Sequence, residues 1–265
     1  MFTIMDLVQP QTIEEAYSIL ISRRSNTVLG GCVFLKMGKK NIGTAIDLSR
    51  LNLNYIIDEE EYIKIGAETT FRDLEVSPII NNNFNGALCD SVKNIIGVQF
   101  RNIVTVGGTV FSKYGFSDLI TALLALDTEV ELYRGGRMSL DDFLVRPYEK
   151  DILCNIYLKK NGRKAVYKSF RNSLSDYAIL NVSVSELNHQ WKIVVGAKPM
   201  VASIAKKASE LLSKEEINEA SIEQAAKVAS EELSFGSNMR ASSEYRKAIC
   251  STLVKRAIME VVQCK

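Results

Sequence analysis

Two glycine pairs hold the residues of this 265-residue sequence best placed to do chemistry. Gly30 and Gly31 follow the β-rich run 26–29 directly, in LGGCVFLKMG, while Gly107 and Gly108 interrupt the β-branched stretch TVGGT at 105–109. Without a Cβ, backbone at such positions can approach an anion closely and turn successive amides toward it as a nest of donors, an arrangement that suits a pyrophosphate. Neither pair reads G-x-G-x-x-G, and no acidic residue stands at the ribose position of the dinucleotide fingerprint. Taken alone, each pair leaves a simple tight turn open as the alternative.

Other chemistries lose support. Cys32, Cys89, Cys154, Cys250 and Cys264 lie far apart with no C-x-x-C spacing, so neither a zinc site nor an iron-sulfur cluster is written locally. The single histidine, His189, falls in the polar turn ELNHQW, which argues against a Ser-His-Asp triad. No spacing singles out a carboxylate pair for acid-base work. We therefore assign no catalytic side chain and no metal ligand.

Composition bounds the answer further. Hydrophobic residues make up 46% and charged residues 24% of the chain, as in a globular protein able to bury a continuous core. The 33 Lys and Arg nearly cancel the 31 Asp and Glu, leaving +2, and they are interspersed, so nucleic-acid binding has no electrostatic support. No apolar run approaches the roughly 18 residues of a membrane span, and MFTIMDLVQP lacks the parts of a signal peptide. The expected location is cytoplasmic, with no membrane span.

The elements that must position the glycine pairs can be read locally. Thr12 and Glu15 form a capping box ahead of a helix whose apolar face is Ile13, Ala16, Tyr17 and Leu20. Strands at 26–29 and 44–48 complete a small β-α-β arrangement around the first pair. Segments 55–58 and 62–67 flank an acidic turn as an antiparallel hairpin, and Thr70 with Asp73 caps a short helix. Residues 91–102 read as helical and lead into a second Gly-rich loop at 105–109. Ser117 caps the apolar helix 118–126 ahead of a strand at 129–133 and the tight turn 134–137. Segments 152–158, 165–170, 178–185 and 191–196 read as a meander, after which the chain is nearly all helix. The fold class is α+β, with a first domain at 1–163, made of subdomains at about 1–54 and 55–163, and a smaller domain of antiparallel meander plus helices at 164–265.

Several segments, in order and at matching separations, resemble one family over almost the whole chain: the FAD-binding medium subunits of molybdenum hydroxylases, which include xanthine and carbon monoxide dehydrogenases. VLGGCVFLKMG resembles the family's first pyrophosphate loop, usually AGG followed by a polar residue and an aliphatic pair. FRNIVTVGGTVFSKYGFSDLITALLALDTEVEL resembles its most diagnostic stretch, an R-N-x-x-T-[VI]-G-G loop, a variable turn, and an Asp opening an A-L-L-A-L helix. DILCNIYL and VYKSFRNSLSDYAILNVSV match the strands that close the flavin domain and begin the C-terminal one.

The resemblance implies a two-subdomain FAD-binding domain of the PCMH type and a set of cofactor contacts. Thr27, Val28, Leu29, Gly30, Gly31, Cys32, Val33 and Phe34 would wrap the FAD pyrophosphate, mostly through backbone. Thr105, Val106, Gly107, Gly108 and Thr109 would supply the second loop, its two threonine hydroxyls bonding phosphate or ribityl oxygens. Asp118 would accept hydrogen bonds from cofactor hydroxyls, or else serve only as a carboxylate at a helix N-terminus. Lys168 would stand near the flavin, where a cation favours the anionic reduced ring, or be one more solvated lysine. Ile95 corresponds to an apolar residue at the ring, Cys154 to one near its dimethylbenzene edge, and Tyr114 to a position from which an aromatic ring could cover a flavin face. Cys32 and Val33 depart from the family's small polar residues, leaving more of the phosphate binding to amides.

The implied role is electron transfer, from [2Fe-2S] clusters of a small iron-sulfur subunit, through FAD in this chain, to NAD+ or another acceptor. Molybdopterin would reside in a large partner subunit. Two other readings stay open: a non-catalytic scaffold subunit that lost its flavin, and a stand-alone flavin oxidoreductase of the vanillyl-alcohol oxidase type.

Overall fold

The computed structural model describes residues 2–264. Chain order is β1 (Thr3–Val8), α1 (Ile13–Ser22), β2 (Thr27–Val28), β3 (Asn41–Ile46), β4 (Ile56–Asp58), β5 (Tyr62–Gly66), α2 (Phe71–Val76), α3 (Pro78–Asn81), α4 (Ala87–Val92), α5 (Val98–Arg101), α6 (Val106–Phe111) and α7 (Asp118–Ala125). There follow β6 (Thr128–Leu132), β7 (Gly136–Ser139), α8 (Leu140–Val145), β8 (Leu153–Lys159), β9 (Lys164–Arg171), β10 (Ala178–Leu187), β11 (Gln190–Gly196), β12 (Ser203–Ile204), α9 (Lys206–Lys214), α10 (Glu219–Glu232) and α11 (Ser243–Gln263). These elements divide into two compact units. The first comprises the chain up to Asp73 with Val98–Ser112 and Thr128–Leu158; the second comprises Leu74–Gly97, Lys113–Asp127 and the chain from Lys159 onward.

The first unit holds two sheets. In one, β1 and β2 pair parallel with a central β3. The N-cap Thr12 accepts the Glu15 amide while the Glu15 carboxylate accepts the Gln11 amide at 2.8 Å, which starts α1 where the sequence places it. Ala16 and Leu20 of α1 are buried against Ile46, Leu48 and Ile152, with Ile13 and Tyr17 partly buried beside them. Burial of a leucine such as Leu20 is worth about 2 kcal/mol. The second sheet runs β4-β5-β8-β6-β7, with the expected hairpin at β4 and β5. Asp151 grips the turn after β6 by accepting the amides of Arg134 at 3.1 Å and Gly135 at 2.8 Å.

The second unit is built on the antiparallel sheet β12-β11-β10-β9. β10 shows why it sits inside. Leu180, Val182 and Val184 alternate with Asn181, Ser183 and Ser185, and all six are buried. The apolar set packs into one core with Ala225 and Ala229 of α10 and Val254 and Ile258 of α11. The polar set faces α7, where Asn181 and Ser185 find partners in Thr121 and the Ala125 carbonyl. Alternation with period two thus gives two buried faces of different chemistry.

Three local expectations change. β8 belongs to the five-stranded sheet of the first unit, so the meander begins at β9 and ends with the short strand β12. The helix expected over 91–102 is broken: α4 stops at Val92, Gly97 takes a left-handed φ of 65°, and α5 begins at Val98. The second glycine pair lies in helix α6 rather than in a loop, because Thr105 caps it by accepting the Gly108 amide at 3.1 Å.

Candidate flavin site

β2 ends where the Leu29 amide donates to the Ile46 carbonyl at 2.8 Å. The chain then turns through Gly31 at φ 67° and Cys32 at φ 58°, a left-handed step that glycine takes freely and cysteine does not. A Cβ on Gly31 would lie 2.0 Å from the Ile103 carbonyl oxygen, so only glycine fits. Thr27, Val28 and every residue through Phe34 are half-buried. Among the described residues, the amides of Gly31, Cys32 and Val33 find no backbone acceptor. A run of unpaired donors in a partly covered loop is a costly arrangement unless something accepts from it, and a diphosphate would.

The second pair works differently. The amides of Val106 and Gly107 donate to the carbonyls of Thr69 and Ala67, both at 2.8 Å, and that of Thr109 to the Thr105 carbonyl at 3.1 Å. With Gly108 on the Thr105 hydroxyl, all four amides are consumed by the protein itself. The glycines are needed here for chain contact. A Cβ on Gly107 would meet Ala67 Cβ at 2.7 Å, and one on Gly108 would meet the Gly30 carbonyl oxygen at 2.7 Å. Each glycine costs about 1 kcal/mol of helix propensity, which the approach of α6 to the first loop offsets. The N-terminus of α6 is thus the floor on which the Gly30 turn rests. Thr109 is half-buried, and its hydroxyl has no partner among the described residues, so of the two threonines it is the one free to bond a ligand.

Electrostatics at the loop were not legible in the motif. Burial pushes the Cys32 thiol up, and Asp47 and Glu68 add to this against the pull of Lys36, so Cys32 is neutral and the loop's donors are amides. Glu68 follows Ala67, the residue against which Gly107 packs; burial, with Asp47 nearby, raises its carboxyl from 4.5 to about 7. Near neutral pH it can donate as well as accept. An acidic residue in the apolar context IGAETT, at the end of β5, was the available signal.

The remaining expected residues lie in the second unit. Asp118 opens α7 behind its N-cap Ser117 and is buried. Its Oδ1 accepts from the Tyr167 hydroxyl and from Asn181 Nδ2 at 2.9 Å, and its Oδ2 lies 2.9 Å from Arg171 Nη2. Three protein donors thus hold this carboxylate in place, and its two oxygens keep acceptor capacity for the cofactor hydroxyls that the resemblance implies. Burial and the Asp118 charge push the Tyr167 phenol well above its ordinary value and keep it a donor. Lys168, on β9, is half-exposed and pairs with Glu260 of α11. Ile95 lies half-buried in the turn after α4, its amide on the Val92 carbonyl at 3.0 Å. Tyr114 stacks on Phe116 with ring centroids 4.9 Å apart. Cys154, on β8 in the first unit, is pushed up to about 12 by burial, with Glu131 and Asp151 contributing.

Among the described residues no group of three or more His, Cys, Asp or Glu side chains could hold a metal ion, and no helix is long and apolar enough to cross a membrane.

With a glycine turn of unpaired amides seated on a glycine helix start, comparison with known proteins is specific. The FAD binding domain in molybdopterin dehydrogenase matches residues 2–158, and the CO dehydrogenase flavoprotein C-terminal domain matches residues 165–261. The chain belongs to this family of FAD-binding molybdopterin dehydrogenase subunits, and it is an oxidoreductase flavoprotein. It is 24% identical to the nicotine 6-hydroxylase medium subunit of Paenarthrobacter nicotinovorans, over 95% of each chain. It is 26% identical to the glyceraldehyde dehydrogenase medium chain of Sulfolobus acidocaldarius, over 96% of this chain and 97% of the other. The fold is that of a chain of the carbon monoxide dehydrogenase from Hydrogenophaga pseudoflava, with a TM-score of 0.90 at 22% identity and 98% coverage of both.

Proposed function

We propose that this chain is the electron-transfer subunit of a molybdenum hydroxylase, receiving electrons from [2Fe-2S] clusters of a small partner subunit and delivering them to NAD+ or another soluble acceptor. Molybdopterin is assigned to a large partner subunit, consistent with relatives named as medium subunits and with the scattered cysteines here. The observation that carries the reading is the apposition of Gly30 and Gly108, which joins the family's two glycine motifs into one surface.

In this reading the residues of the chain bind and orient. Gly31, Cys32 and Val33 supply amides to the diphosphate, Thr109 adds a hydroxyl, and Gly107 and Gly108 hold the floor close. Glu68 holds a proton beside the first loop at near-neutral pH. Bound FAD supplies the interchange between one-electron and two-electron transfer. Substrate hydroxylation belongs to the molybdenum partner.

The test is the visible spectrum of the full chain, purified alone and with co-expressed partners. Flavin bands are expected, with iron-sulfur bands only when partners are present. A featureless spectrum in the assembled complex overturns the reading, as do cluster bands in the isolated chain.

A further inference from the structure

Glu68 stands where the two glycine segments meet, and neither motif gives it a role. Its chain neighbours carry the start of α6: the Thr69 carbonyl accepts the Val106 amide and the Ala67 carbonyl accepts the Gly107 amide, both at 2.8 Å. Its own amide donates to the Leu53 carbonyl at 2.9 Å, so the backbone at Glu68 is fixed on both sides. From this position its carboxyl and that of Asp47 both act on the Cys32 thiol. Cys32 is the middle residue of the three whose amides find no backbone acceptor among the described residues.

The two carboxyls differ in what holds them. Asp47 accepts from Gln9 Nε2 at 2.8 Å and from the Ser49 amide at 2.9 Å. Against the opposing effect of burial, these donors, with Arg50 nearby, hold it below the usual carboxylate range. The Glu68 carboxyl is half-buried and has no hydrogen bond or ion pair among the described residues. Burial, then the Asp47 charge, lifts it to about 7. Around it the first loop adds Lys36 and the neutral Cys32 thiol, β8 the neutral Cys154 thiol, and the chain before β4 the neutral Tyr55 phenol, while the first turn of α6 carries no charge. Of the displaced groups on these elements, Glu68 alone is brought near pH 7.

A diphosphate brings fixed negative charge into the same partly covered space, where repulsion between like charges is screened less than in water. We propose that Glu68 is a proton-linked affinity control for the flavin diphosphate: as a neutral carboxyl it leaves the amides of Gly31, Cys32 and Val33 free to hold the anion, and as a carboxylate it opposes it. The proposal rests on the flavin reading of the first loop. Reciprocity then requires that bound FAD make Glu68 harder to ionise, so FAD binding just above pH 7 takes up part of a proton from solvent.

The experiment uses the full-length chain freed of flavin and titrated with FAD by calorimetry. Between about pH 6 and about pH 8.5 the diphosphate keeps its charge, so a change in affinity reports a group of the protein. Wild type should bind FAD at least about fivefold more weakly at the upper end of that range than at the lower. Heats measured at about pH 7.5 in buffers of different ionisation enthalpy should show proton uptake. Glu68→Gln should bind with one affinity across the range, close to that of wild type at the lower end, and without proton uptake. A wild-type affinity that does not change with pH, or equal proton uptake in the two proteins, overturns the proposal and leaves the flavin reading intact. Absence of FAD binding at every pH overturns both. Should the variant not fold, the Glu68 carboxyl resonance of 13C-labelled wild type decides: its titration midpoint must rise when FAD binds, and an unmoved midpoint overturns the proposal.

Discussion

Asp118 and Arg171 form an ion pair at 2.9 Å whose side chains are only 7% and 10% exposed, inside a single unit. The same carboxylate takes Tyr167 and Asn181, so one helix-start residue ties α7 to both β9 and β10.

Asp118→Asn therefore leaves the Arg171 guanidinium buried without its charge partner and should cost about 3–5 kcal/mol of stability in guanidinium unfolding. The double variant Asp118→Asn with Arg171→Met should cost clearly less than the sum of the two single changes. Additive costs would show that the pair is not coupled.

Gly108→Ala adds a Cβ 2.7 Å from the Gly30 carbonyl oxygen, and both sides of that contact are backbone. The first loop must move away from α6. Flavin content after purification should fall steeply while circular dichroism keeps its native form. Full flavin occupancy in this variant would detach the α6 floor from cofactor binding.

Glu68 sets a pH dependence whose sign is fixed by its raised carboxyl, from 4.5 to about 7. The folded state holds the proton more tightly than the unfolded one, so stability from this group is greatest below about pH 4.5, declines between about 4.5 and 7, and is level above. Glu68→Gln should be more stable than wild type above pH 7 by about 1–2 kcal/mol. That advantage should vanish toward pH 4. A difference in melting temperature that is constant with pH would refute this assignment.

Much of the fold was legible because its signals are local. The Thr12 box, the β4-β5 hairpin, the Ser117 cap and the alternation of β10 each depend on residues within a few positions of one another. Sheet membership is not local: β8 has the apolar run of a meander strand, yet its ladder partner is β6, and only long-range pairing decides that. Gly107 and Gly108 read as a loop because glycine disfavours helices, while the contacts that keep them helical come from Ala67 and Gly30. The partners of Asp118 lie 49 and 63 residues away in sequence, so its commitment to Tyr167 and Asn181 could not be seen from its helix position. Glu68 escaped notice for a related reason. Its chemistry comes from burial, and a lone acid in a sequence carries no mark of how much water surrounds it.

The meeting of Gly30 and Gly108 also bears on how this flavoprotein can change. A side chain at either position collides with the main chain at the other, so enlarging one cannot be rescued by shrinking its partner, which is already the smallest residue available. Neither site tolerates a side chain. Libraries aimed at altering flavin affinity should leave both untouched and diversify Cys32, Val33 and Thr109, whose side chains can vary without prying the two segments apart.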